Sequence, residues 1–140
     1  MVVGPFLWIA PEHHYEFMHF DPDDGLLIVL EGFKTVNLIS PEYLDSLYLN
    51  PLGSYGRTVQ SQVILNSSEP GLIRYDNAKY PKFGGVHVWT GKLEKGDCLY
   101  IPAVSPASTF FLLLHASVLV LVSSDNFREA NPFSKCVLGT

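Results

Sequence analysis

The chain is short of positive charge: nine Lys and Arg stand against fourteen Asp and Glu in 140 residues, a formal net charge of −5. No run of basic residues occurs. A protein that grips nucleic acid neutralises phosphates, so that electrostatic footprint is missing and no nucleic-acid partner is expected. Charge is scarce altogether, at 16%, while hydrophobic residues reach 47%, a balance that excludes intrinsic disorder. Cysteine is nearly absent. Cys98 and Cys136 lie 38 residues apart with no C-x-x-C pair, which predicts neither a disulfide framework nor a zinc knuckle and favours a reducing, intracellular setting, cytoplasm or nucleus. Long apolar runs are lacking too. The longest, Phe110 to Val122, holds 13 residues broken by His115 and Ser117, whereas a spanning helix needs about 20. It reads as a pair of core strands, and no membrane association is expected. The start of the chain has no basic, apolar leader pattern, and the sequon Asn66-Ser67-Ser68 is therefore without a secretory context.

What is present is a spread of turn residues. Ten prolines and eleven glycines punctuate short apolar runs, a pattern of β structure in a single domain over residues 1–140. Strands are predicted at Phe6–Ile9, Phe17–Phe20, Leu26–Leu30, Thr35–Ile39, Val59–Leu65, Val86–Trp89, Leu99–Ile101, Phe110–Leu114 and Ser117–Val122. One short helix is expected at Ser40-Pro41-Glu42, where Ser caps free amides, Pro suits the first helical position and Glu complements the positive helix end. Many short strands between turns imply a sandwich or barrel.

His19-Phe20-Asp21 sets two metal-competent side chains two residues apart, on one face if extended. A non-haem Fe(II) site uses two imidazoles and one carboxylate on one face of the ion. Alone, H-x-D reads equally as a strand residue followed by a turn aspartate.

The surroundings make it recognisable. Lys34 follows His19 by fifteen residues in Glu31-Gly32-Phe33-Lys34, the Ser40-Pro41-Glu42 turn comes next, and Lys92 to Ala103 reads KLEKGDCLYIPA with Tyr80-Pro81-Lys82-Phe83 upstream. From about Trp8 to Phe127 the chain resembles the JmjC and cupin-like family of Fe(II)- and 2-oxoglutarate-dependent oxygenases. The resemblance implies an all-β, cupin-like double-stranded β-helix, a jelly roll, with one short helix after the G-x-K strand. It implies iron at His19 and Asp21, 2-oxoglutarate held by Lys34, and hydroxylation of a protein side chain or related substrate. Family members usually carry more residues before H-x-D, so the barrel is expected to be incomplete at its amino-terminal side. Exposed sheet edges would then favour a protein partner or a homodimer.

The pattern also departs from the family. The second iron-binding His falls, counting from Ile101-Pro102-Ala103, on Ala107, whose methyl cannot bind metal. Glu16 replaces a hydroxyl-bearing residue, Gly25 an Asn, and Pro11-Glu12-His13-His14 a glycine-rich stretch. His13, His14, His87 and His115 are the remaining imidazoles, none at the expected position. Turnover is therefore expected to be impaired or absent, the alternative being a catalytically silent binding or assembly module. A metal-free cupin that binds a sugar or other small ligand through Tyr15, Phe17, Trp89 and Tyr100 is a further reading.

Overall fold

The computed structural model describes residues 2–10, 14–50, 59–65, 74–103, 105–111, 115–122 and 135–137. Among the described residues, ten strands fold into two five-stranded antiparallel sheets. The first contains β1 (Val2–Ala10), β3 (Asp24–Glu31), β7 (Asp97–Ile101), β9 (His115–Val122) and β10 (Lys135–Val137), in the order β1-β9-β3-β7-β10. The second contains β2 (His14–Phe20), β4 (Phe33–Ile39), β5 (Val59–Gln60), β6 (Val88–Glu94) and β8 (Ala107–Phe111), in the order β5-β2-β8-β4-β6. The chain alternates between sheets, and its two halves run antiparallel: β1 lies on β9, β2 on β8, β3 on β7 and β4 on β6. This winding is the all-β, cupin-like double-stranded β-helix.

Period-two burial builds the layers. Leu27 and Val29 of β3, Val36 and Leu38 of β4, Leu93, Leu99 and Ala107 pack together between the sheets. A second cluster, Met18, Ile39, Leu47, Val63, Leu65, Tyr80 and Phe83, covers the outer face of the second sheet. β4 is buried on both faces as a result. Glycine is required where β3 passes to β4 across one residue, because Gly32 has φ +76°. The expected short helix is a single 3-10 segment, Pro41–Ser46, with the Ser40 hydroxyl accepting from the Glu42 amide. A second, Pro81–Gly85, buries Phe83.

Four expectations need correction. Only Val59 and Gln60 of the Val59–Leu65 stretch are a strand; the Ser61 hydroxyl donates to the Leu47 carbonyl and accepts from the Val63 amide, turning the chain onto the outer cluster. The predicted Val86–Trp89 strand begins at Val88 and runs on through Gly91 to Glu94. Phe110–Val122 does yield two strands, but β8 and β9 belong to different sheets and do not pair with each other; residues 112–114 lie outside the described residues. Finally, β10 joins the edge of β7 with Cys136 as the register partner of Cys98, and Cys98 is disulfide-bonded. Strand addition, invisible in a 38-residue spacing, brings the two positions together.

The far end of the Ile101-Pro102-Ala103 segment is held by a buried carboxylate. Asp24 accepts from the Tyr100 hydroxyl at 3.1 Å and from the Ala103 amide at 2.8 Å. Asp24→Ala strands a buried hydroxyl and an amide, so urea unfolding should show a loss of about 2–3 kcal/mol, and Tyr100→Phe a loss of about 1 kcal/mol.

Candidate functional site

β2 is not a regular strand. Glu16 is opposite Thr109 and His19 is opposite Ala107, so three steps of β2 match two steps of β8. This bulge decides which way side chains point. In an unbroken strand Glu16 and His19 would face opposite sides; the extra residue places both on the face of Ala107, which belongs to the core between the sheets. Met18, with no exposed surface, turns to the outer cluster instead.

His19 thus sits in a cross-strand row with Ala107 and Leu38 on one side and Gln60 on the other. Its Nδ1 is 2.7 Å from the Phe17 carbonyl. A carbonyl only accepts, so Nδ1 carries the proton and Nε2 keeps the lone pair, the tautomer a metal-binding imidazole needs. Asp21 follows two residues later, half-buried and one residue past the end of β2. Among the described residues no group of three His, Cys, Asp or Glu side chains is arranged to hold a metal ion.

Lys34 lies on the same inner face, two alternations from Leu38 and in the row of Phe111 and Leu93. It is only 2% exposed. From the row of His19 to that of Lys34 is about 13 Å along β4, at about 3.3 Å per residue. Burial pulls the Lys34 ammonium from 10.5 down to about 8, with the Glu16 carboxylate acting in the opposite direction. The proximity of Glu16 depends on the bulge and on strand order, and no feature of the Glu16-Phe17-Met18-His19 sequence announces it.

The other candidates do not join this site. His115 begins β9 opposite Ala10, at the end of the barrel where β3 finishes, away from the His19 end. His14 is exposed at the far end of β2, and His13 lies outside the described residues. His87 is exposed and packs edge-on against Trp89 at 4.6 Å. The four aromatics of the sugar-binding reading do not line one cavity. Tyr15 packs on the outer cluster, Tyr100 bonds Asp24, and Phe17 and Trp89 are exposed. Gly25 is buried in β3 between Ile101 and Leu121.

The lowered Lys34 value has a thermodynamic consequence. Between about pH 8 and pH 10.5 the unfolded chain holds a proton at Lys34 that the folded chain has released. Unfolding then takes up a proton, so this group's contribution makes stability rise with pH above about 8, and its full penalty is present below. Lys34→Met should flatten that rise in urea-denaturation midpoints measured on either side of pH 8 and should raise stability most on the acid side.

The profile of the Cupin-like domain family matches residues 5–105. Jumonji C domain-containing protein 5 of Drosophila melanogaster is 30% identical over 95 residues, covering 68% of this chain and 21% of that protein. tRNA wybutosine-synthesizing protein 5 of Homo sapiens is 40% identical over 86 residues, covering 61% of this chain and 23% of that protein. Lysine-specific demethylase 8 of Danio rerio is 30% identical over 95 residues, covering 68% of this chain and 21% of that protein. The chain therefore spans between 21% and 23% of the length of these relatives. Among solved structures, a single-residue variant of oxalate decarboxylase of Bacillus subtilis superposes with a TM-score of 0.51 at 10% identity, over 86% of this chain and 21% of that one, a likeness of fold alone. No helix among the described residues is long and apolar enough to cross a membrane. A profile match over residues 5–105 and Jumonji C proteins among the relatives make the chain a member of the JmjC/cupin-like domain family, related to the Fe(II)- and 2-oxoglutarate-dependent oxygenases.

Proposed function

We propose that this chain is an oxygenase-family barrel whose turnover is impaired or absent, because Ala107 stands where the distal metal-binding His would fall. The observation that carries this reading is the register: Ala107 is the direct cross-strand neighbour of His19. Opposite residues of an antiparallel pair hold their Cβ atoms about 5 Å apart, so two imidazoles at these positions could share one ion. His19 and Asp21 alone supply two donors, which does not fit an Fe(II) triad. No catalytic step is assigned to this chain on their account. What the barrel retains is an inward imidazole, a nearby carboxylate and a buried ammonium, Lys34, as the anion end of the pocket.

The partner in this reading is a protein. The name of the human relative assigns it to tRNA wybutosine synthesis, but fourteen acidic against nine basic residues supports a protein partner over a nucleic acid here. A second reading, a silent binding or assembly module, draws on β1. This edge strand exposes Phe6, Leu7, Trp8 and Ile9 on both of its faces, by 44% to 65%, as a strand awaiting a partner protein or a second copy would. A strictly monomeric mass in solution would remove the second-copy form of that reading.

The main reading is tested by titrating anaerobic Fe(II) with 2-oxoglutarate and by the substitution Ala107→His. The wild-type chain should show no metal-to-ligand absorption band in the micromolar range. Ala107→His should bind Fe(II) or Co(II) more tightly by upwards of the roughly 10- to 100-fold that a mere supporting contact contributes, whereas Ala107→Leu, a control for bulk, should not. Saturable iron binding by the wild-type chain would overturn this reading, and no gain from the His would remove the assigned site.

A further inference from the structure

Glu16 has no part in the metal chemistry, yet it is the charged group that acts on Lys34. Two geometric facts bring them together. Through Thr109, Glu16 shares a cross-strand row with Val36, one inward step from Lys34 on β4. The bulge after Glu16 then sets its side chain on the inner face, the face to which the 2%-exposed Lys34 belongs. Lys34 is thus buried and Glu16 half-buried on one face, where screening by water is reduced.

We propose that Glu16 is a specificity-determining residue of this barrel: its carboxylate serves as the resident counter-ion of Lys34 and excludes dicarboxylates, 2-oxoglutarate among them, from the anion position that Lys34 would otherwise offer. The inference rests on the reading of Lys34 as the anion end of the pocket. A buried cation with no counter-charge is satisfied by an entering anion. Where a carboxylate is already beside it, the newcomer meets a like charge as well as the cation. A close charge in such a site shifts a protonation equilibrium by about one to three pKa units, which is about tenfold to a thousandfold. Glu16 also helps keep Lys34 protonated against its burial. Without it the amine would release its proton more readily, and an arriving anion would draw that proton back.

The test is metal-free calorimetry with 2-oxoglutarate and with glutarate on the full chain. The wild-type chain should show no saturation at millimolar ligand. Glu16→Gln should bind at least about tenfold more tightly, with a heat that depends on the ionisation enthalpy of the buffer, the signature of proton uptake. Adding Lys34→Met to Glu16→Gln should abolish the binding. Glu16→Thr provides the same comparison should the Gln variant lose its cooperative melt. Wild-type binding as tight as that of the variants, or no gain in folded Glu16→Gln and Glu16→Thr, would overturn the proposal. Ala107→His does not touch Glu16, so metal uptake by that variant alongside no gain from Glu16→Gln sinks the counter-ion alone. A gain that survives Lys34→Met would sink both it and the placement of the anion pocket.

Discussion

The candidate site depends on the pairing of β2 with β8. The winding lays the two halves of the chain antiparallel, so positions 19 and 107, far apart in sequence, become direct neighbours. Each inner-face residue therefore takes its surroundings from a strand in the other half of the chain. A change at one position is felt first across the sheet and only afterwards along the strand. The alanine at 107 matters for that reason: it alters the surroundings of one particular imidazole, and it does so from within the packed core between the sheets.

The buried ammonium has to be explained separately from the fold. The core between the sheets is assembled from Leu, Val and Ala, and a lysine with 2% exposure adds a desolvation cost that packing does not require. A carboxylate facing such a cation offsets part of that cost, but buried ion pairs are seldom a net source of stability compared with apolar residues of similar size. Lys34 and Glu16 are therefore not accounted for by packing alone. The same cannot be said of Asp24, whose carboxylate is engaged by a hydroxyl and an amide and so fixes the end of β7.

How much of this could be read from the sequence differs by level. The apolar run Leu26–Leu30 within β3 and the alternating Thr35–Ile39 within β4 were legible as strands because each is short and bounded by turn residues. Val59–Leu65 misled because its apolar residues serve an outer cluster through loop geometry, and alternation alone cannot separate that from a strand. β10 has three residues and exists by adding to an edge, which leaves no local trace. At the candidate site, the H-x-D pair and the G-x-K lysine stood out through resemblance to a family pattern and not through local chemistry. The alanine at 107 was visible only by counting from a family pattern, and the register then placed it opposite His19. Glu16 registered as a mere departure, since its closeness to Lys34 depends on an irregularity that the residues from 16 to 19 do not encode locally.

That irregularity leaves the barrel open to a kind of change that substitution cannot make. The surplus residue in β2 separates the facing of everything before it from the facing of everything after it. Deleting one amino acid at Phe17 or Met18 would restore plain alternation with Glu16 still opposite Thr109 and His19 still opposite Ala107, so both would keep the inner face. A one-codon loss there would straighten β2 and keep acid and imidazole both inward, whereas sliding the start of the strand by one residue without shortening it would carry the acid to the outer wall.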